Sequence, residues 1–298
     1  MAEVASEVAI RALGRRGDGE FDGPDGPLHV AGALPGERVR VAVDGDSARL
    51  LDVLAPSPAR AAPSCRHFGT CGGCMAQHMT PAFYREWKRG QLTTALARQG
   101  IAADVPPLVD ATAGGRRRAT FHAHARAAGA EVGYMRARSH EIVAIDACPI
   151  LSAGLAGALP AARAVADALR RLGKPLDLLA TAADTGLDLD LRGAGGLDPR
   201  AEAALSAIAE AHDLARLSNH GKRLVERRAP TLRMGSATVA LPPGGFLQAT
   251  AAAEDEIAAR AIAHFGAAER LADLFCGIGA FALRLAERAS VMARDSDA

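Results

Sequence analysis

Leu271-Ala272-Asp273-Leu274-Phe275-Cys276-Gly277-Ile278-Gly279 reads as a short apolar strand that runs into a glycine-rich turn. A helix over 281–288 and a second strand over 290–294 are expected after it, which makes one strand–helix–strand unit of an α/β layer. Gly277 and Gly279 let the backbone approach a ligand closely. Asp295 stands 18 residues after Gly277, at the end of the second strand. An acid at about that distance is expected to hydrogen-bond ribose hydroxyls. Ala282 occupies the place of a third glycine in a dinucleotide fingerprint. S-adenosylmethionine has no pyrophosphate to seat on a helix N-terminus, so a two-glycine turn suffices for it. The competing reading is an ordinary strand-to-helix turn. Cys276, inside the turn, reads as a small packing residue rather than a nucleophile.

Working back from this unit, residues 254–265 show Ile257, Ala261 and Phe265 at i, i+4 and i+8, the pattern of an amphipathic helix. Residues 224–247 read as strands. Asp198-Pro199 is an N-cap and first-turn pair for the helix after it. Leu187, Leu189 and Leu191 alternate with Asp188 and Asp190 as in a strand. Residues 161–172 fit a helix ended by Gly173. The stretch 116–148 reads as a β-hairpin with Phe121, Ala123 and Ala125 on one side and His122, His124 and Arg126 on the other. A helix over 82–99 is expected to stop at Gly100. Three prolines mark a linker over 56–64, and residues 1–56, punctuated by Gly and Asp, read as several short strands in a small barrel.

The 298 residues suffice for about two domains. Hydrophobic residues make up 49% and aromatics only 4%, so the core must be built from Ala, Leu and Val. The net charge of +1 gives no global field for nucleic acid, and any RNA-binding surface must be local. No run reaches ~20 apolar residues, and the N-terminus lacks the apolar region of a signal peptide. The expectation is a cytoplasmic protein with no membrane partner, in which five cysteines serve as metal ligands or core thiols rather than disulfides.

Cys65, Cys71 and Cys74 have the spacing C-x5-C-x2-C, and Cys148 follows 74 residues later, before Pro149. Four thiolates could hold a 4Fe–4S cluster or one zinc. Structural zinc favours two close pairs, whereas three close ligands plus a distant one are commoner for iron–sulfur. The spacing is wrong for the radical enzymes that cleave S-adenosylmethionine. His67 and His78 nearby read as packing or surface residues. Arg116-Arg117-Arg118, with His122, His124 and Arg126, forms a candidate basic patch for RNA phosphates, against the plain reading of a solvated surface.

Four stretches together resemble the RNA uracil-5-methyltransferase family, in the branch with a TRAM domain and a 4Fe–4S cluster that modifies large-subunit ribosomal RNA. Leu13 to Gly19 with Leu34 to Val39 looks like a TRAM domain, an OB-like RNA-binding barrel. Cys65 to His78 looks like the cluster motif, and Ala147 to Leu151 like its fourth ligand. Pro242-Pro243-Gly244-Gly245-Phe246-Leu247-Gln248 looks like the segment whose Gln contacts S-adenosylmethionine, and Asp273 to Leu285 like the cofactor motif. Ala280 and Asp295 stand where the family often has Asn and Glu.

The resemblance implies an α+β multidomain protein: an OB-like barrel over 1–56, a central α/β domain with the iron–sulfur cluster over 57–245, and the start of a Rossmann-like methyltransferase domain over 246–298. It implies S-adenosylmethionine contacts from Gln248, Asp273, Phe275, Gly277, Gly279 and Asp295, and cluster ligation by Cys65, Cys71, Cys74 and Cys148. The implied reaction forms 5-methyluridine through a cysteine that adds to C6 of uracil. In the family that cysteine and its base lie late in the methyltransferase domain, so a chain truncated before them is expected. Competing expectations are a non-catalytic RNA-binding iron–sulfur protein and a transfer-RNA enzyme.

Overall fold

The structure is a computed structural model that describes residues 4–126 and 129–296. The chain divides into two compact units, Met1–Val109 and Asp110–Ala298.

The first unit opens with β1 (Val4–Ala9), β2 (Ala12–Leu13), β3 (Gly19–Gly23), β4 (Gly26–Val30), β5 (Arg38–Asp44) and β6 (Ser47–Ala55), in one sheet of order β1-β5-β6-β4-β3-β2. Val39 and Val41 turn inward on β5 and join Ile10, Phe21, Val30 and Ala33 in a small core. The buried Glu37 carboxylate fastens this sheet to the linker. It accepts Leu34 N–H (2.8 Å), Ser57 N–H (3.2 Å) and both Nε and Nη2 of Arg60. The cysteine loop follows, then α1 (Pro81–Arg98). Thr80 caps α1 through Phe83 N–H, Pro81 opens it, and Gly100, at φ 71°, follows its end.

The second unit is built on seven strands: β7 (Arg118–Arg126), β8 (Gly129–Met135), β9 (Ile142–Ala144), β10 (Leu176–Ala183), β11 (Gly186–Arg192), β12 (Leu214–Asn219) and β13 (Lys222–Glu226), ordered β13-β12-β11-β10-β7-β8-β9. Only β11–β12 is parallel, and α3 (Pro199–Ala211) makes that crossover. Asp198 caps α3 by accepting Ala201 N–H at 2.7 Å. α2 (Ala158–Ala168) presents Ala158, Ala161, Ala162, Val165 and Ala166 to the core, a face of small side chains that lets the helix lie close to the sheet. Phe121, Ala123, Leu178, Leu189 and Leu191 meet it from the strands.

Beyond this sheet come the hairpin β14 (Thr231–Met234) and β15 (Ala237–Ala240), then α4 (Ala251–Phe265), β16 (Arg270–Leu274), α5 (Ala282–Leu285) and β17 (Ser290–Arg294). β16 and β17 pair in parallel, as the sequence pattern requires. Two expectations are corrected here. The helix after the turn is four residues rather than the eight of 281–288. On α4, Ile257 and Phe265 are each 43% exposed, and the buried residues are Glu254 and Ala258. Glu254 faces inward, where it meets two arginines, described below. Among the described residues no helix is long and apolar enough to cross a membrane.

Candidate functional site

The glycine-rich turn follows β16 directly. Phe275 takes φ 61° and is 84% exposed, an unusual pair of properties for an aromatic residue. A non-glycine residue held in the left-handed region is strained and is a mark of functional turns. Gly277 has φ 56° and open space where a Cβ would project. Asp295, at the end of β17, accepts the Gly277 N–H at 2.6 Å, so its carboxylate lies at the mouth of the turn. Asp273 Oδ2 is buried without a hydrogen-bond partner. An orphaned acceptor beside an open glycine cradle fits a ligand that brings its own donors. Burial, then the carboxylates of Asp273 and Asp295, push the Cys276 thiol up.

The segment 241–248 lies across the face of the seven-stranded sheet opposite α2 and α3. That face carries buried charge. Asp188 and Arg216 form a two-point ion pair (2.9 and 2.7 Å), and Arg216 Nη1 donates to the Leu241 carbonyl at 2.8 Å. Asp190 accepts Ser218 Oγ at 2.8 Å and Gly221 N–H at 2.9 Å. Gly244, at φ 71°, passes so close that a Cβ there would lie 2.8 Å from Arg192 Nη2. Phe246 is 70% exposed, with the Arg118 guanidinium 5.9 Å from its ring centre. The Gln248 carbonyl accepts Arg117 Nε at 3.3 Å.

The three consecutive arginines have three different fates. Arg116 is exposed, with its backbone bridged to Leu151. Arg118 is half-buried beneath Phe246 and donates to the Gly244 carbonyl at 3.2 Å. Burial and the nearby Arg192 lower its pKa. Arg117 is buried and paired with Glu254, so its charge is neutralised inside the protein rather than offered to a phosphate. His122 shares the hairpin face with His124, and its Nδ1 lies 2.7 Å from Asp177. The Arg126 side chain lies outside the described residues.

Cys65, Cys71 and Cys74 are half-buried in one loop, and Cys148 packs at the edge of the large core of the second unit. Burial pushes the Cys71 thiol up, and the neighbouring Cys74 and Cys65 add to this, while Gly73 N–H donates to its Sγ at 3.4 Å. Gln77 accepts Cys65 N–H at 3.1 Å, and its Nε2 is buried without a partner. The Gly73 N–H aimed at sulfur is a contact of the kind that surrounds a thiolate-held group. As placed, no three His, Cys, Asp or Glu side chains among the described residues are grouped so as to hold a metal ion.

Sequence reading missed Glu254, Arg284 and Phe246 as site residues. An acid at the first turn of an apolar helix reads as a dipole partner, and only its burial betrays the role.

No protein-family profile matches the chain. An uncharacterized RNA methyltransferase of Brucella suis is 44% identical over 98% of this chain and 70% of its own length. One from Caulobacter vibrioides is 39% identical over 98% and 72%. The 23S rRNA (uracil(1939)-C(5))-methyltransferase of Halomonas elongata is 34% identical over 96% of this chain and 64% of its own. Among solved structures, a tRNA (uracil-54, C5)-methyltransferase of Pyrococcus abyssi, in complex with S-adenosyl-L-homocysteine, superimposes with a TM-score of 0.71 at 19% identity, over 98% of this chain and 73% of that one. This likeness is one of fold. With the identity and coverage of the Brucella and Caulobacter proteins, the chain belongs to the RNA methyltransferase family.

Proposed function

We propose that the chain binds S-adenosylmethionine and RNA for the formation of 5-methyluridine in ribosomal RNA. The observation that carries this reading is the turn itself: an open glycine cradle, an orphaned Asp273 oxygen and the Asp295 carboxylate at the end of the neighbouring strand. The name of the Halomonas relative supports the uracil C5 and ribosomal parts. When bound, S-adenosylmethionine supplies an electrophilic methyl group. Asp295 and Asp273 orient donors of the ligand, Gly277 and Gly279 admit it, Phe275 flanks it, and Gln248 contacts it from the 241–248 segment.

In such a reaction a thiolate adds to C6 of uracil, C5 gains enolate character and takes the methyl group, and a base removes the C5 proton before the thiolate leaves. None of the described residues is assigned as that thiolate or that base. The uridine must be unstacked for C5 and C6 to be reached. Arg116 and the hairpin face of His122 and His124 supply the phosphate contacts, in a TRAM-like and cluster-bearing RNA-docking frame. Cys65, Cys71, Cys74 and Cys148 are the ligands for a 4Fe–4S cluster, on their spacing. A cytoplasmic location follows from an RNA substrate of this kind.

The test is a gene deletion read by nucleoside mass spectrometry of separated RNAs. Loss of one 5-methyluridine from 23S RNA supports the proposal. Loss from transfer RNA instead moves the substrate. No loss from either supports a non-catalytic RNA-binding role. Iron and sulfide analysis of anaerobically purified protein distinguishes the cluster from zinc.

A further inference from the structure

Three side chains distant in sequence meet in one buried charge network. Arg117 donates its backbone N–H to the Ala249 carbonyl at 2.9 Å and its Nε to the Gln248 carbonyl at 3.3 Å. Its Nη2 lies against one oxygen of Glu254, which is 1% exposed. The other Glu254 oxygen accepts Arg284 Nη1 at 3.3 Å. The same Nη1 donates to the Ala280 carbonyl at 3.2 Å, and Nη2 to Asp255 at 2.5 Å. One carboxylate therefore holds two guanidinium groups, and each guanidinium grips a main-chain carbonyl. One carbonyl belongs to Gln248, the other to the residue that follows Gly279. Burying a carboxylate is costly unless it is paired and hydrogen-bonded, and this one is paired twice. Glu254 lies on the inward side of α4, with the apolar Ile257 and Phe265 turned outward.

We infer that Arg117, Glu254 and Arg284 are positioning residues that hold the Gln248 segment and the glycine-rich turn at a fixed separation, and that Arg117 is not an RNA contact. The inference rests on the cofactor reading above, because it concerns the two stretches assigned there to S-adenosylmethionine. The planar fork of arginine is what allows one side chain to reach a carboxylate and a carbonyl together. A lysine keeps the charge but cannot span both.

The test uses the full chain with Arg117→Lys and Glu254→Gln, beside Arg116→Ala as the exposed control. S-adenosylhomocysteine affinity is measured by calorimetry, RNA affinity across a salt series, and amide hydrogen exchange at 246–250 and 277–281 without ligand. Arg117→Lys and Glu254→Gln are expected to weaken S-adenosylhomocysteine about tenfold or more, roughly the worth of one charge-assisted hydrogen bond. They speed exchange at both stretches and leave the RNA salt slope unchanged, whereas Arg116→Ala flattens the slope and leaves the S-adenosylhomocysteine affinity intact. If Arg117→Lys does not melt cooperatively, Arg284→Lys reads the same network from its other end. Unchanged affinity and exchange overturn the inference and leave the cofactor reading standing. A salt slope flattened in Arg117→Gln, which removes the charge that lysine keeps, overturns it by making Arg117 an RNA contact. If the wild-type chain binds no S-adenosylhomocysteine, the cofactor reading fails, and exchange decides the network alone: faster exchange at both stretches upholds it, unchanged exchange removes it.

Discussion

Removal of Asp188 alone is expected to be among the most damaging substitutions in the second unit, while removal of Asp188 and Arg216 together is expected to be tolerated. Their side chains are 4% and 5% exposed, and the guanidinium makes two bonds to Asp188 and one to the Leu241 carbonyl. Asp188→Ala leaves a buried cation with two donors unpaired, at a cost of about 3–5 kcal/mol. Burial, with the carboxylates of Asp190 and Glu226, raises the Asp188 carboxyl above its ordinary value, while Arg216 opposes this. Asp188→Leu with Arg216→Met removes both charges at similar volume and is expected to lie within about 1–2 kcal/mol of wild type, because buried pairs are often replaceable by apolar side chains. The residual cost is the bond to Leu241, about 1 kcal/mol, together with the Arg216 contact to Glu226 at 3.8 Å. Urea unfolding of wild type, both single variants and the double variant gives the coupling energy directly. A single substitution costing less than about 1 kcal/mol, or a double variant as unstable as the sum of the singles, would refute this account.

The buried Glu37 carboxylate is pushed up by burial but held below its ordinary value by Arg60 and the N–H groups of Leu34 and Ser57. Its stabilisation is therefore complete above the unfolded pKa and lost as pH falls through the lower folded one. The only tryptophan, Trp87, packs on Gly17 of the same unit, and its fluorescence should show this acid-side slope in wild type and lose it in Glu37→Gln. Gly133→Ala would place a Cβ 1.9 Å from the Val143 carbonyl of β9, and should cost about 3 kcal/mol of stability, seen as a lowered thermal or urea midpoint; a midpoint at the wild-type value would show that β9 yields freely. Arg116→Ala should weaken RNA binding and reduce its salt slope by about one, with an unchanged slope in filter binding counting against the patch. Cys74→Ala should lower the iron bound per chain, and unchanged iron content would remove that residue from the ligand set.

Local chemistry made many elements legible from the residues. Thr80-Pro81 and Asp198-Pro199 start α1 and α3 because a side-chain oxygen and a proline satisfy a helix end wherever it occurs. The alternation of β7 puts Phe121 and Ala123 in the core and His122 on the other face. The strand–turn–helix–strand order put Asp295 at the end of the second strand from spacing alone, and only the structure showed it accepting the Gly277 N–H. Amphipathic reading failed on α4, where an i, i+4 count assigns the apolar stripe inward but Glu254, paired with two arginines, is the buried residue.

The sequence by itself determined the cysteine spacing, the glycine-rich turn between two parallel strands, and the period of each strand and helix. All of these depend on residues close together in the chain. Only the tertiary structure decided which of three adjacent arginines faces solvent, and why Asp188 and Asp190 are buried on the side of β11 that alternation assigns to water. The segment 241–248, some fifty residues later, covers that side. Burial of a charge is set by what folds over it and by whether a distant partner arrives within hydrogen-bonding reach.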